Sequence, residues 1–273
     1  MHQAVHHPTS IAGIDVVSIL SDRTFPRHSH DEFGIGVMQV RGQYSWSGRG
    51  TVEAGVGDVM TVNPSELHDG LGIAGAARGW QMMYFSPEAI GRLVDVPLFG
   101  SEIESPVVRC PKSSWAVRQA ITAVTDPFAD PSYSEERLMI AVETILRPRK
   151  IEKKHKHAPL SKPILRMLDR IEAEPEVTLS LQDFAQVSGL SRFQVLRRFS
   201  KEVGTTPHGF LTQLRVKLAK RAIADGQPLA DAAVAVGFAD QSHMTRAFSR
   251  QFGTTPGRYL NAQNARICNI VQS

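Results

Sequence analysis

Short apolar runs separated by glycine-containing turns dominate the first 85 residues of the chain. Because these runs are rich in β-branched and aromatic residues, they predict strands. The predicted strands are Ile14–Leu20, Phe33–Val40, Gln43–Ser47, Val59–Val62 and Gly79–Phe85. Turn signals such as Gly57-Asp58 and Asn63-Pro64 lie between them. Many short strands of this kind are typical of a small barrel or sandwich.

After Ser86 the apolar residues recur with a helical period. Ser86-Pro87 begins a short helix, because proline is favoured at the first helical position. Two amphipathic helices follow, one from Ser113 to about Val124 and one over Arg137–Leu146. The apolar face of each needs a partner, which is either the strands of the same chain or a second subunit. The sequence leaves both alternatives open.

A polar and mostly cationic segment, RPRKIEKKHKH, occupies residues 147–157. It has almost no apolar side chain that could anchor it, so it predicts a flexible linker whose charge can also touch phosphate. The chain is therefore divided into an N-terminal domain (residues 1–146), a basic linker (residues 147–160) and a C-terminal domain (residues 161–263).

Charge is distributed unevenly along the chain. Residues 1–146 carry 10 Lys and Arg against 17 Asp and Glu, residues 147–158 carry 6 against 1, and residues 159–273 carry 15 against 9. An acidic first half followed by a basic second half indicates that the C-terminal part binds a polyanion such as nucleic acid.

One pattern occurs twice in the C-terminal domain. The segments SKEVGTTPHGFL (residues 200–211) and SRQFGTTPGRYL (residues 249–260) are offset by 49 residues. Upstream residues recur at an offset of 48, Leu181, Asp183, Ala185 and Gly189 as Leu229, Asp231, Ala233 and Gly237. Each copy predicts two helices around a glycine turn: Leu181–Val187 with Arg192–Val203, and Leu229–Val236 with Gln241–Phe252. This arrangement is typical of a DNA-binding helix-turn-helix.

The second helix of each copy has an apolar pair on one side, Val195 with Phe199 and Met244 with Phe248, which is predicted to face inward. The remaining sides carry residue types that contact base edges and phosphates in DNA. These candidate DNA-binding residues are Phe193, Gln194, Arg197, Arg198 and Lys201 in the first helix and Gln241, Ser242, His243, Thr245, Arg246 and Arg250 in the second. A solvated cationic face would look the same in one copy, but its repetition after matched turns favours double-stranded DNA as the partner.

One continuous helix is predicted between the two copies, over Pro207–Ala224, with Thr206 as its cap. At ~1.5 Å per residue this helix is roughly 25 Å long. That length is of the right order to hold two recognition helices about one DNA turn, ~34 Å, apart.

Residues 237–260, GFADQSHMTRAFSRQFGTTPGRYL, resemble the signature of the AraC/XylS family of transcription regulators, and the resemblance extends over about residues 165–261. It implies an all-α domain of about seven helices with both second helices in successive major grooves. It further implies base contacts from Phe193, Arg197, Gln241, Ser242, Thr245 and Arg246. The chain departs from the family pattern at Met244, where phenylalanine or leucine is usual, and at Leu260, where arginine is common.

The N-terminal domain resembles the cupin-type sensor domain of the same family, through His28-Ser29-His30, Gly57-Asp58, Asn63-Pro64 and His68. The resemblance implies a two-domain α+β protein whose cupin-like β-barrel senses a small-molecule effector and forms a homodimer. In metal-binding cupins two histidines of an HxH pair, a later glutamate and a distant histidine hold the ion. Here the glutamate is replaced by Gly34 or Ile35, and Glu32 is out of phase. If a metal binds, its ligands are His28, His30 and His68.

An organic effector is the other possibility for this domain. Trp46, Trp80, Met82 and Tyr84 alternate as if to line the barrel interior, and Arg27 would neutralise an anionic effector. Together with the three histidines they form the candidate effector pocket. Plain core packing explains the aromatic residues equally well, and no effector class is specified.

These features predict a DNA-binding transcription regulator, an activator that also contacts RNA polymerase, with no resident cofactor and no enzymatic activity. The alternative is a cupin metal-dependent enzyme or metal sensor with an appended DNA-binding module. The sequence contains no phosphate-binding glycine loop and no HExxH motif. Two distant cysteines, no secretory signal and no apolar run of ~20 residues predict a cytoplasmic protein that does not contact membranes.

Overall fold

The computed structural model describes residues 1–48, 50–93, 102–146 and 160–261. These residues divide into two compact units, one of residues 1–146 with 258–261 and one of residues 160–257. All of the predicted linker except Leu160, and the last two residues of the predicted C-terminal domain, lie outside the described residues. Within the described ranges, no helix combines the length and the apolar character that crossing a membrane requires.

Two antiparallel sheets form the first unit. Its strands are β1 (His2–His7), β2 (Ile14–Ser21), β3 (Phe25–His28), β4 (Phe33–Val40), β5 (Gln43–Ser47), β6 (Gly50–Ala54), β7 (Val59–Val62), β8 (His68–Gly72), β9 (Arg78–Phe85) and β10 (Val107–Val108). The order β1-β2-β9-β4-β7-β10 makes a six-stranded sheet, and β3-β8-β5-β6 makes a four-stranded one. In the part of the chain that the structure describes, no strand pairing joins the two sheets, so the predicted barrel is an open one.

Three helices cover one face of the six-stranded sheet: α1 (Pro87–Leu93), α2 (Pro111–Thr125) and α3 (Pro131–Leu146). In β2, Ile14 and Val16 belong to the core shared with these helices, whereas Val17 and Ile19 belong to the core between the two sheets. The alternation follows from the strand geometry, which points successive side chains to opposite faces. Of the two alternatives for the apolar faces of α2 and α3, the structure shows packing on the strands of the same chain.

The fully buried Arg78 joins the two sheets. Its guanidinium donates hydrogen bonds to the backbone carbonyl oxygens of Ser21, at the end of β2, and of Arg23, just after it. It also donates to the Gly70 carbonyl oxygen and the Gln43 side-chain oxygen of the four-stranded sheet. Burial lowers the pKa of Arg78. Because each of the three guanidinium nitrogens donates to an oxygen, the charge is tolerated in the core without a carboxylate bonded to it.

The C-terminal third is helical throughout. It contains α4 (Lys162–Ala173), α5 (Leu181–Ser188), α6 (Arg192–Val203), α7 (Pro207–Ala224), α8 (Leu229–Ala235) and α9 (Gln241–Phe252), followed by helical residues 256–261. The prediction of about seven helices is confirmed. Phe184, Val195 and Phe199 pack with residues of α4 and α7 in one buried cluster, so the first helix pair shares its core with the helices on either side of it.

Candidate functional site

Local hydrogen bonds define the first helix-turn-helix. Ser180 and Asp183 form a capping box at the start of α5, and hydrogen bonds from Ser180 lower the pKa of Asp183. Gly189 ends the helix with a φ of 71°, a left-handed conformation that glycine adopts without strain. A second capping box, between Ser191 and Gln194, begins α6. The chain therefore turns between the two helices within three residues.

The second helix-turn-helix uses the same devices at the corresponding places. Gly237 has a φ of 87°, and the Asp240 carboxylate accepts the backbone N–H of His243 at 2.6 Å at the start of α9. Gly253 ends α9 in the left-handed conformation. Phe238, inside the turn, is 4% exposed. Both predicted turns are thus formed, each with a glycine after the first helix and a polar cap before the second.

The predicted inward pairs of the recognition helices α6 and α9 are buried. Val195, Phe199, Met244 and Phe248 are each 0% exposed. On the opposite side, exposed residues stand four positions apart along each helix. We name them the α6 row and the α9 row; they are Phe193, Arg197 and Lys201, and Ser242, Arg246 and Arg250. Members of the two rows correspond at the repeat offset of 49, so each row carries an arginine followed by a second cation at matched positions.

The other predicted DNA-binding residues differ in their surroundings. Gln241 is exposed and Thr245 is half-buried beside the α9 row. The Arg198 Nε lies 3.6 Å from a Glu202 carboxylate oxygen, which offsets part of its charge. Gln241 and Thr245 flank the α9 row, so a nucleic acid bound against that row would contact both of them.

Two predicted DNA-binding residues make contacts within the helix-turn-helix units themselves. The Gln194 side-chain oxygen accepts the backbone N–H of Ser191 at 3.0 Å, as part of the capping box of α6. The half-buried His243 ring packs edge-on against Phe238, with ring centroids 5.1 Å apart. Sequence reasoning placed both on the helix surface but could not show that neighbouring turn residues engage them.

A buried arginine that sequence reasoning missed connects the two helix pairs. Arg215 lies on α7, and its guanidinium donates to the carbonyl oxygens of Pro175, Glu176 and Val177 at 2.6, 3.1 and 3.1 Å, in the connection between α4 and α5. Burial lowers the pKa of Arg215, and the negative charge of Glu176 partly offsets this. One sequence feature could have revealed this role: Arg215 follows the buried Leu211 by four residues and so lies on the core side of α7.

The turn of the second pair meets the same connection. A Cβ atom added to Gly237 would lie 2.4 Å from the Glu176 carbonyl oxygen and 2.9 Å from an Arg215 nitrogen. We name this contact, formed by Glu176, Arg215 and Gly237, the junction. Since it involves the segment before α5, the central helix α7 and the turn before α9, the junction fixes the relative placement of the two helix pairs.

In the first unit, three histidines from two segments come together. His28 and His68 are direct partners across β3 and β8, and His30 follows β3 by two residues. One ring nitrogen of each histidine lies within 4.8 Å of one nitrogen of the other two, and His28 and His30 are buried while His68 is half-buried. Within the described ranges, no carboxylate or thiol belongs to this group. We refer to it as the histidine cluster.

Backbone carbonyls set the tautomers of two members of the histidine cluster. The Nδ1 of His28 lies 2.7 Å from the Pro26 oxygen, and the Nδ1 of His68 lies 3.0 Å from the Glu66 oxygen. A carbonyl only accepts, so each Nδ1 carries a proton, and in the neutral form of each ring the lone pair is on Nε2. This arrangement is how proteins orient imidazoles that bind metals.

The remaining residues of the predicted effector pocket fall on two faces. Trp80, Met82 and Tyr84 belong to the core between the sheets, and the Tyr84 ring lies 5.1 Å from that of His30. Successive residues of a strand point to opposite faces, so Arg27 and Trp46 lie on the outer face of the four-stranded sheet. There, one Arg27 nitrogen lies 3.5 Å from the Asp69 carboxylate, and its guanidinium stacks 3.7 Å above Trp46. One pocket therefore cannot be lined by the whole predicted set.

Known proteins match the chain along most of its length. A family model described as an AraC-like ligand binding domain matches residues 18–186, and one described as a helix-turn-helix domain matches residues 184–262. The HTH-type transcriptional regulator YbfI of Bacillus subtilis is 25% identical over 228 residues, 81% of each chain.

Other relatives match over a smaller share. The Escherichia coli transcriptional activator RclR is 33% identical over 104 residues, which cover 38% of this chain and 35% of RclR. The structure of ToxT from Vibrio cholerae aligns with a TM-score of 0.49 and 10% identity, over 96% of this chain and 98% of ToxT. Because the ligand-binding model alone matches more than half of the chain, the chain belongs to the AraC family of DNA-binding transcription regulators and carries the family's ligand-binding domain.

Proposed function

We propose that the chain binds a promoter or operator through α6 and α9 and changes transcription when a small-molecule effector occupies its N-terminal domain. The observation that carries this proposal is the pair of matched exposed rows, opposite fully buried apolar pairs. Arginine pairs with guanine edges through two hydrogen bonds, and lysine and arginine contact phosphates. The α6 and α9 rows supply these groups at the same positions of two helices.

The proposed contacts divide by their chemistry. Arg197 and Arg246, in the middle of each row, are proposed to contact bases. Lys201 and Arg250, one turn further along, are proposed to contact phosphates. The exposed Phe193 would touch a thymine methyl group. The junction would hold both rows at the spacing of successive major grooves.

We further propose that the protein acts as an activator and as a homodimer, with RNA polymerase as its second protein partner. The name of RclR as an activator supports the direction of regulation, over the shared third of that protein. Effector binding would shift the population between two arrangements of the DNA-binding units on the promoter.

The first experiment is DNase footprinting of the full chain on the DNA upstream of its own gene, with the effector-free protein at moderate salt. We expect protection of one or more sites that a scrambled sequence of the same composition does not share. Equal affinity for both DNAs would contradict the proposal, because sequence-independent phosphate binding alone gives no preference.

Arg246→Ala tests direct base contact. We expect the variant to lose about 1–3 kcal/mol of binding free energy, roughly a five- to 150-fold increase in Kd. The loss is expected only on DNAs that keep the preferred base at one position. Arg166→Ala removes another exposed arginine, on α4 and outside both rows, and serves as the charge control. Competition gel shifts with single-base operator variants measure both. A loss of equal size on every operator variant would make Arg246 a phosphate contact.

A further inference from the structure

We infer that the histidine cluster binds a divalent transition-metal ion, and that this ion is the effector of the N-terminal domain. The second half of the inference rests on the proposed regulatory function. The first half, metal binding, depends only on His28, His30 and His68. Titration with Zn²⁺ tests metal binding, and footprinting with and without Zn²⁺ tests the effector role separately.

The fold brings the histidine cluster together by backbone pairing. His28 and His68 face each other across the antiparallel pair of β3 and β8. The segment carrying His30 is tied to the turn before β8, because the backbone N–H of Ser65 donates to the His30 carbonyl at 2.6 Å. Strand pairing and this hydrogen bond therefore fix three imidazoles, from two segments, at one end of the four-stranded sheet.

The support behind the ligands is also fixed. The Glu66 carboxylate accepts the backbone and side-chain N–H groups of Asn63, at 3.0 and 2.9 Å. This anchors the peptide whose carbonyl accepts the Nδ1 proton of His68. Proteins that bind metals through histidine orient the ring in this way from the nitrogen that does not bind.

The donor set selects the class of ion. Neutral imidazole nitrogens suit zinc, nickel, cobalt and iron, whereas magnesium and calcium prefer oxygen ligands. Three nitrogens around a four-coordinate ion would lie ~3.4 Å apart, for metal–nitrogen bonds of ~2.1 Å. The observed limit of 4.8 Å is wider, so small side-chain rotations would bring the nitrogens to bonding distance.

The exposure of the cluster suits a sensor. His28 and His30 are 6% and 3% exposed, so a bound ion would be largely shielded from water. His68 is half-buried, which leaves a route for the ion to enter. Three protein ligands leave the fourth position of a tetrahedral ion to water or a small anion. Loading would also tie the end of β3 to the start of β8 and stiffen that edge of the sheet.

The test of metal binding uses the full chain, stripped with a chelator and dialysed. Zn²⁺ and Mg²⁺ are titrated separately by calorimetry, and Co²⁺ is added as a visible spectroscopic probe. We expect one tight Zn²⁺ site per chain, no comparable Mg²⁺ site, and a Co²⁺ spectrum that Zn²⁺ abolishes. Equal affinity for Zn²⁺ and Mg²⁺, or no tight Zn²⁺ site, overturns the inference.

Variants assign the site. His68→Gln and His30→Gln are each expected to weaken Zn²⁺ binding by about 100-fold or more, since each removes a ligand. His208→Gln removes an exposed histidine of α7 and serves as the matched control. Unfolding of each metal-free variant, followed by tryptophan fluorescence, shows whether it is folded. Folded variants that keep the wild-type Zn²⁺ affinity would place the ion elsewhere and overturn the inference.

The regulatory half is tested by footprinting with and without saturating Zn²⁺. We expect Zn²⁺ to change the affinity or the extent of the footprint at least fivefold in wild type but not in His68→Gln. Tight Zn²⁺ binding with an unchanged footprint overturns the effector role. Absence of any preferred DNA site, with tight Zn²⁺ binding, instead contradicts the proposed function and leaves the metal site established.

Discussion

Replacing Gly237 by alanine is expected to destabilise the second helix-turn-helix by about 3 kcal/mol or more and to abolish specific DNA binding. An alanine would adopt a φ of 87° only at a strain of ~1–2 kcal/mol. Its Cβ would also lie 2.4 Å and 2.7 Å from the backbone oxygen and Cα of Glu176. Backbone atoms cannot rotate out of the way as the end of a side chain can, so the junction would have to open.

Gly189→Ala is the matched control for this prediction, because Gly189 holds the corresponding position in the first pair. Its φ is 71°, and no atom lies within 4 Å of an added Cβ. We expect only the conformational penalty of ~1–2 kcal/mol. Hydrogen exchange of α8 and α9 for Gly237→Ala and of α5 and α6 for Gly189→Ala, with gel shifts on the protected operator, measures the two variants. Equal losses in the two would show that the contact with Glu176 contributes nothing.

Arg78→Met is expected to destabilise the N-terminal unit by about 3–5 kcal/mol. Methionine fills much of the same volume but donates no hydrogen bond. The buried oxygens of Gln43, Ser21 and Gly70 would lose a charged donor, and an unsatisfied buried polar group costs about 1–3 kcal/mol. The same change would remove the group that joins the two sheets.

The control is Arg92→Met, at an exposed arginine that donates to the Ala12 carbonyl. A surface change of this kind is expected to stay within about 0.5 kcal/mol. All three tryptophans, Trp46, Trp80 and Trp115, lie in the first unit, so denaturant unfolding followed by tryptophan fluorescence reports on that unit alone. If Arg78→Met and Arg92→Met unfold at the same denaturant concentration, the hydrogen bonds of Arg78 do not stabilise the fold.

The predicted helix ends agree best with the structure where the capping residues are close in sequence to the groups they bond. The bounds of α6, α7 and α9 agree with the prediction to the residue, because caps such as Ser191, Thr206 and Asp240 bond within three positions of themselves. The helix α3 begins at Pro131, six residues before the predicted start at Arg137. Its first turn is polar, and an apolar period alone does not mark such a turn.

The strands that were missed are mostly short or poor in apolar residues. Five predicted strands are present, whereas β1, β3, β6, β8 and β10 were not foreseen. The segment of β3, Phe-Pro-Arg-His, contains a proline and lies at the edge of its sheet. Such segments become strands because a partner strand completes their backbone hydrogen bonds, and the identity of that partner is not a local property.

The candidate sites divide in the same way. The sequence identified the three histidines and both exposed rows, because these depend on residue type and spacing. It also grouped Arg27 and Trp46 with the histidines, which only the strand register separates. The junction was missed because Glu176, Arg215 and Gly237 are distant in the chain and carry no shared motif.

By itself, the sequence determined the duplicated helix pairs, their caps and turns, and the acidic and basic halves, since all of these follow from local spacing and composition. The tertiary structure alone decided which strands pair, which oxygens receive Arg78 and Arg215, and that His28 faces His68. These contacts join residues far apart in sequence, and they form only when long loops close to bury a common core. The physical reason is that a local pattern specifies a hydrogen-bonded element, whereas the contacts between elements depend on the packing of the whole chain.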